Sequence, residues 1–210
     1  MNKYKQKEEF FETNANLFKV LSSPIRLKLI NYISFCPRTV EECAHRFDQS
    51  IQNISLHLIT LTKANILEVE QVKNFRYYSL SNSEVVHLVS KILASNDQTL
   101  LSNELIWQGN HDELVKQVKN KKVTLVDLRQ IDESNYIPIN GVLHFEDTLT
   151  KISSFLEPLP KKRPLLFFCK GRMCERLAEA VELAVESNFN VKGLPLSAFE
   201  LTELGMKLES

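Results

Sequence analysis

Over roughly the first ninety residues, apolar side chains recur every three or four positions, which is the spacing of amphipathic helices. The pattern predicts five helices: the first over about residues 5–21, the second from Pro24 to a point before Cys36-Pro37, a short third after Thr39, the fourth from Ile51 to about Ala64 and the last over about 83–93. Local signals set their ends. Ser22-Ser23-Pro24 begins the second helix, Thr39-Val40-Glu41-Glu42 has the form of a capping box that opens the third, and Asp48-Gln49-Ser50 separates the third from the fourth.

Between the fourth and fifth helices the residue types favour strands instead of helix. The runs Leu67–Gln71 and Phe75–Leu80 are β-prone and are joined by Val72-Lys73-Asn74, so the sequence predicts a hairpin. Two short helices joined by a tight turn and followed by a hairpin describe a winged helix-turn-helix. In that arrangement the second helix of the pair enters the major groove of DNA.

The second half of the chain alternates strand-like and helix-like segments. Val123–Val126 and Pro164–Phe168 are short apolar runs, and helical patterns cover Asp112–Lys119 and Leu177–Ala184. Such alternation predicts an α/β fold with a central parallel sheet and with functional loops at the carboxyl ends of the strands. We therefore predict two domains, a mostly α winged helix-turn-helix over residues 1–97 and an α/β domain over 98–210, separated near Ser95–Gln98.

Charge and composition narrow the classes of partner. The 210 residues carry 26 basic and 26 acidic side chains, and the first 97 carry 12 basic against 10 acidic. Any DNA contact must then come from a local patch and not from bulk charge. The chain shows no membrane-length apolar run and no signal peptide, so a cytoplasmic location without membrane contact is expected, with the four cysteines as thiols.

Cys169 is the strongest candidate for chemistry. It ends the second apolar run and is followed by Lys170, Gly171, Arg172 and then a helix. Loop amides, the helix dipole and the cations, Arg176 included, favour an anion at this point, so we predict a lowered pKa for the Cys169 thiol. Gly171 supplies the unusual backbone angle that such a loop requires.

Cys36, Cys43 and His45 form the other candidate cluster, which could be imagined as a zinc site. Cys43, however, occupies a core-facing position of the third helix where a leucine would serve equally well. A small buried hydrophobe is therefore the favoured interpretation. No metal and no cofactor is predicted.

The N-terminal half resembles the ArsR-type bacterial repressors, from RLKLINYIS through the hairpin FRYYSL. The resemblance implies a homodimer that pairs through its first and last helices and binds double-stranded DNA, with an inverted repeat as operator. It places groove-facing and phosphate-contacting side chains at Gln52, Asn53, Ser55, His57, Lys63, Lys73 and Arg76. Leu56 and Ile59 stand where such repressors often carry basic residues, so we expect binding to depend strongly on the hairpin.

The C-terminal half resembles the rhodanese family across about residues 110–208, through VTLVDLR, Gly141-Val142 and the strand–Cys169–loop–helix unit. The loop CKGRMC is similar to a variant found where a rhodanese domain follows an ArsR-type domain. The resemblance implies a persulfide on Cys169, a small anionic sulfur donor and a thiol acceptor. It assigns donor binding or loop support to Lys170, Gly171, Arg172, Met173, Asp127 and Arg129.

Two departures from the rhodanese pattern bear on mechanism. Cys174 stands where many rhodaneses have an arginine, and it either fills that place or acts as a second catalytic thiol that resolves a Cys169 persulfide. Glu175 stands where related phosphatases need an arginine, so phosphatase activity is disfavoured. Two rival functions stay open: a sulfurtransferase that uses the winged helix only to dimerise, and a reductase of an oxyanion such as arsenate that uses both thiols.

Overall fold

The structure, a computed structural model, describes residues 3–81, 83–94 and 99–206. The chain divides into two compact units, Met1–Asn96 and Asp97–Ser210. The predicted boundary at residues 97 and 98 and the polar stretch around it lie outside the described residues. No helix within the described ranges is both long enough and apolar enough to cross a bilayer.

The first unit has five helices and one hairpin in its described residues, in the order of a winged helix-turn-helix, as predicted. The elements are α1 Lys3–Leu21, α2 Pro24–Ile33, α3 Val40–Phe47, α4 Ile51–Lys63, β1 Leu67–Val72, β2 Phe75–Leu80 and α5 Ser83–Ala94. The predicted core face of α4 is confirmed, because Ile54, Leu58 and Leu61 are fully buried.

Local capping sets the start of α3 and the turn between α3 and α4. The Thr39 hydroxyl accepts a hydrogen bond from the Glu42 N–H at 3.3 Å, and the Glu42 carboxylate accepts one from the Thr39 N–H at 2.7 Å. Asp48 ends α3 in the left-handed region with φ 49°, and the Ser50 hydroxyl accepts from the Asn53 N–H at 3.2 Å. Each cap stabilises its helix by about 1 kcal/mol, so the sequence itself sets where both helices start.

The hairpin is antiparallel, with Val72 opposite Phe75 and a turn of only Lys73 and Asn74. The predicted connection was one residue longer, because β1 continues to Val72. Arg38 and Tyr78 exchange backbone hydrogen bonds of 3.0 and 2.8 Å, and this pairing joins the second strand to the residues before α3.

The second unit is an α/β fold around a four-stranded parallel sheet of order β4-β3-β5-β6, as predicted for a central parallel sheet. Its elements are α6 His111–Lys119, β3 Thr124–Asp127, α7 Ile131–Tyr136, β4 Leu143–His144, α8 Ile152–Leu156, β5 Leu165–Cys169, α9 Glu175–Glu186, β6 Val191–Ser197 and α10 Ala198–Glu203. Strand β5 is buried on both faces. Phe167 and Cys169 pack with α8 and α9, and Leu166 and Phe168 pack with α6 and α10.

Candidate functional site

The loop between β5 and α9 lies at the carboxyl end of a central strand, where parallel sheets place their functional groups. It begins directly after Cys169, and Cys174 is the N-cap of α9. Gly171 adopts φ 100°, a conformation that a side chain would strain, and a Cβ at this position would be in ordinary van der Waals contact with Ser197. The Thr99 hydroxyl and the Leu100 N–H donate hydrogen bonds to the Arg172 carbonyl at 3.2 and 3.4 Å and tie the loop down.

The two cysteines of the loop are in hydrogen-bond contact but differ in exposure. Cys169 is 0 % exposed, and Cys174 is partly exposed. The Cys174 sulfur receives hydrogen bonds from the Cys169 thiol and from the backbone N–H groups of Lys170 and Leu177. The structure therefore brings together both residues that the sequence singled out as catalytic candidates.

The predicted lowering of the pKa at Cys169 is wrong, and the lowering falls on Cys174. The hydrogen bond from Cys169, followed by the two backbone donors and the Lys170 charge, lowers the pKa of Cys174 from 9.0 to about 6, against the opposing effect of burial. The same hydrogen bond, burial and the charge on Cys174 raise the pKa of Cys169 well above 9.0. The loop amides and helix N-terminus thus stabilise an anion on the second thiol and not on the first.

The cations that were expected to act on Cys169 are mostly engaged elsewhere. The Lys170 ammonium is 2.7 Å from a carboxylate oxygen of Glu133, whose side chain is fully buried. The Arg176 guanidinium donates to the carbonyls of Leu128 and Asp147 at 2.7 and 2.8 Å. Among the described residues, only the Nε of Arg172 in this group is buried without a hydrogen-bond partner.

Asp127 and Arg129 form a fully buried ion pair beside the loop. The Arg129 Nη2 lies 2.7 Å from the Asp127 carboxylate, and the guanidinium also donates to the carbonyls of Glu133 and Ile137 at 3.1 and 2.9 Å. The resemblance had placed both residues with the donor-binding set. Their polar atoms bind each other and the backbone, so the pair ties the end of β3 to α7, beside the strand that carries the loop.

Glu133 is the residue of this site that the sequence analysis missed. It pairs with Lys170, and its carboxylate accepts a hydrogen bond from the Gln130 N–H at 3.4 Å, as part of a capping box at the start of α7. Gln130 and Glu133 three residues apart after a strand were the available signal. Nothing in the sequence indicated that this carboxylate would face Lys170.

The exposed residues of α4 match the predicted DNA-binding residues of this helix only in part. Gln52 and Lys63 are exposed, together with Leu56 at 66 % and Ile59 at 43 %. Ser55 and His57 are half-buried, and burial followed by the Arg26 charge lowers the pKa of His57, so its imidazole is neutral at pH 7. The environment of His57 therefore disfavours the imidazolium form that would pair with phosphate.

The remaining DNA-binding candidates lie at the start of α4 and on the hairpin. The Asn53 side chain is half-buried and donates to the Gln49 side chain at 3.0 Å. Lys73, in the left-handed region at the tip, and Arg76 on β2 are both exposed. The hairpin therefore presents two cations, and α4 presents mainly apolar and amide groups.

The cysteines of the first unit have the character predicted for Cys43. Cys36 and Cys43 are both buried, and burial, followed by the Glu42 charge, raises the pKa of Cys43 to about 12. Within the ranges that the structure describes, no three His, Cys, Asp or Glu side chains converge on a common point that would suit a metal ion.

Comparison with known proteins identifies relatives among bacterial transcription regulators. The chain is 22 % identical to the HTH-type transcriptional regulator Rv0324 of Mycobacterium tuberculosis over 213 residues, which cover 97 % of this chain and 93 % of that protein. It is 32 % identical to the transcriptional repressor SdpR of Bacillus subtilis over 68 residues, or 32 % of this chain and 76 % of the repressor. A probable mercury resistance operon repressor of Streptomyces lividans is 29 % identical over 92 residues, or 43 % of this chain and 74 % of that protein.

Solved structures are similar to somewhat less than half of the chain. A homodimeric winged helix-turn-helix domain of Mycobacterium bovis, described as a possible ArsR-family regulator, covers 48 % of this chain and 93 % of its own at 20 % identity, with a TM-score of 0.44. Reduced HlyU of Vibrio cholerae covers 45 % of this chain and 99 % of its own at 20 % identity, with a TM-score of 0.41. No protein-family model matches the chain.

Proposed function

Because the chain belongs, through its N-terminal unit, to the ArsR-type family of winged-helix DNA-binding transcriptional regulators, we propose that it is an operator-binding regulator that responds to reactive sulfur. The N-terminal unit binds an inverted repeat as a homodimer. The C-terminal unit is a rhodanese-like domain that accepts sulfane sulfur in the Cys169–Cys174 loop. The observation that carries the second half of this proposal is the contact between two thiols in that loop, one of them with a strongly lowered pKa.

The surface of the winged helix supports the proposed mode of DNA binding. Gln52 on α4 offers an amide that suits adenine, and Leu56 offers an apolar group that suits the methyl of thymine. Lys63, Lys73 and Arg76 supply the cations for phosphate. Since phosphate contacts dominate affinity and the groove-facing stripe of α4 is largely uncharged, most of the salt-dependent affinity falls to the hairpin.

The first helix supports the homodimer. Phe10, Phe11 and Phe18 are each more than half exposed along α1, and Ile92 on α5 is 46 % exposed. Several large apolar side chains left exposed along one helix are typical of an interface. A second copy of the same helices is the partner that the family resemblance implies, and it would place two α4 helices on successive turns of the operator.

The C-terminal loop has the properties that uptake of an anionic sulfur donor requires. A thiol with a pKa of about 6 is largely thiolate at pH 7, and the orphaned Nε of Arg172 is a cationic hydrogen-bond donor in the same loop. The match to the Mycobacterium tuberculosis regulator spans both units of the chain. That coverage supports a single regulator in which the second unit supplies the regulatory chemistry.

A second candidate function follows from the same thiol pair. Two thiols in hydrogen-bond contact are also the arrangement that a reductase of an oxyanion such as arsenate uses, ending as a disulfide. In that case the winged helix would serve only to dimerise the enzyme. Arsenite release from arsenate, without sulfur uptake from polysulfide, would favour this function.

The DNA half of the proposal predicts a measurable salt effect. Lys73→Ala with Arg76→Ala should weaken binding to the gene's own upstream DNA and lower the slope of log K against log salt by about 2, because two phosphate contacts are lost. The measurement is a fluorescence-anisotropy titration at several salt concentrations. The matched control is Lys162→Ala with Arg163→Ala, which removes the same two charges from exposed positions in the C-terminal unit. An unchanged slope in the hairpin variant would remove the hairpin from the interface.

The sulfur half predicts where modification occurs. After treatment of the full chain with inorganic polysulfide, peptide mass spectrometry should find the added sulfur or a disulfide in the segment that contains Cys169 and Cys174. Operator affinity should change at the same time. Cys36 and Cys43 should stay reduced, because both are buried and the pKa of Cys43 is about 12. Sulfur on either of those two residues would move the sensing chemistry into the winged-helix unit.

A further inference from the structure

We propose that Cys174 is the thiol that takes sulfur from the donor and that Cys169 is the buried thiol that resolves it, so that the loop finishes as a Cys169–Cys174 disulfide. This inference rests on the proposed sulfane-sulfur function and specifies its chemistry. It departs from the rhodanese resemblance, which places the persulfide on Cys169 and leaves Cys174 either as a substitute for an arginine or as the resolving thiol.

The two sulfurs differ in how accessible they are to a donor in solution. Cys169 has no exposed surface and packs into the core cluster between the sheet and α9, with Leu128 and Leu177 among its members. Cys174 is partly exposed, and Met173 before it is 61 % exposed. A donor in solution therefore meets the sulfur of Cys174 first.

The backbone of the loop and of α9 favours an anion on Cys174. Cys174 caps the N-terminus of α9, a helix of 12 residues, and its sulfur accepts hydrogen bonds from two backbone N–H groups. This is the position in which a helix end and loop amides stabilise an anion. Cys169 lacks these donors, and its hydrogen bond to Cys174, its burial and the charge on Cys174 disfavour a negative charge on it more than the Lys170 ammonium favours one. The nucleophilic thiolate is thus on Cys174.

The hydrogen bond between the thiols also supports this assignment, because it brings together the two sulfurs that react in the second step. The Cys169 thiol donates to the Cys174 sulfur, so the atom that must attack already contacts the atom to be attacked. A buried thiol with a raised pKa is unreactive toward the bulk solution. It becomes competent once its partner sulfur is bound to a good leaving group.

The two steps balance in atoms and electrons. The Cys174 thiolate attacks the terminal sulfur of a persulfide donor RS–SH; the new bond joins that sulfur to Cys174, the RS–S bond breaks, and RS leaves as a thiolate. Cys169 then gives up its proton and attacks the Cys174 sulfur, which forms the disulfide and expels hydrosulfide. The sulfane sulfur is reduced by two electrons and the two thiols are oxidised by two.

The test treats the reduced full chain with inorganic polysulfide at pH 7, blocks free thiols with iodoacetamide and locates each modification by peptide mass spectrometry. Wild type should form the Cys169–Cys174 disulfide and release hydrosulfide. Cys169→Ser should retain one added sulfur on Cys174 and release none. Cys174→Ser should take up sulfur at least about tenfold more slowly, because the remaining thiol is buried and protonated. Cys43→Ala, which removes a thiol from the other unit, should behave as wild type.

The outcomes separate this inference from the function on which it rests. A Cys174→Ser variant that gains sulfur on Cys169 at the wild-type rate overturns the assignment of roles and leaves the sulfane-sulfur function standing. Equal reaction of both single variants overturns the assignment as well. A wild-type chain that neither gains sulfur nor forms the disulfide refutes the proposed function itself.

Discussion

Replacement of Arg129 with methionine is expected to lower the free energy of unfolding of the C-terminal unit by about 3–5 kcal/mol. The change leaves the buried Asp127 carboxylate without its partner and removes the donors to the carbonyls of Glu133 and Ile137. Removing one partner of a buried ion pair destabilises the fold by far more than the intact pair stabilises it, because the remaining charge stays buried without a partner. The measurement is urea unfolding followed by the fluorescence of Trp107, which is the only tryptophan of the chain and lies in this unit.

An exposed ion pair of the same unit provides the matched control. Lys151 and Asp147 lie 2.9 Å apart with side chains 64 % and 48 % exposed, so Lys151→Met should change the free energy of unfolding by less than about 1 kcal/mol. A double variant, Asp127→Leu with Arg129→Met, should be more stable than Arg129→Met alone, because no unpaired charge remains. Equal stability of Arg129→Met and wild type would show that the pair does not hold the strand end.

The second large effect is that Cys174 should react with an alkylating reagent much faster than Cys43 of the same chain. Cys174 should be alkylated by iodoacetamide with a rate that is half-maximal at a pH of about 6, and at pH 7 it should react at least about a hundredfold faster than Cys43. The difference in thiolate fraction is larger than this, but a more acidic thiol is also a weaker nucleophile. Mass spectrometry of timed, quenched samples gives both rates in one experiment.

The same pKa shift predicts how the stability of the C-terminal unit depends on pH. Folding lowers the pKa of Cys174 from 9.0 to about 6, so between these values the unfolded chain binds the extra proton and stability rises with pH. The contribution is complete above about pH 9 and is lost as the pH falls through about 6. Cys174→Ser should remove this slope. A half-maximal alkylation rate near pH 9 would show instead that Cys174 is an ordinary thiol.

Signals that act between residues close together in the sequence predicted most helix and strand ends of the N-terminal unit. The capping box at Thr39, the proline at Pro24 and the β-prone runs around the hairpin turn are all local signals, and each predicted element end lies within a few residues of its place. The buried face of α4 was also predictable from the sequence, because Ile54, Leu58 and Leu61 repeat at helical spacing.

The two edge strands of the C-terminal sheet, β4 and β6, could not be predicted from local sequence signals. Strand β4 has only two residues, and β6 contains Gly193 and Pro195, which break any strand pattern. A proline is tolerated there because β6 lies at the edge of the sheet and a register shift interrupts its pairing with β5. The backbone of Gly193 lies against Leu101, which leaves no room for a side chain. Pairing partners far apart in sequence define these strands.

The sequence by itself determined that Cys169 ends a buried strand, that a cationic loop follows it and that Cys174 is five residues away. Only the tertiary structure decided which thiol carries the charge. Electrostatic stabilisation depends on where each donor points: Glu133 turns the Lys170 ammonium toward itself, carbonyls bind Arg176, and two backbone N–H groups face Cys174. A list of charged neighbours in sequence contains none of these directions, and over a few ångströms direction and burial outweigh net charge.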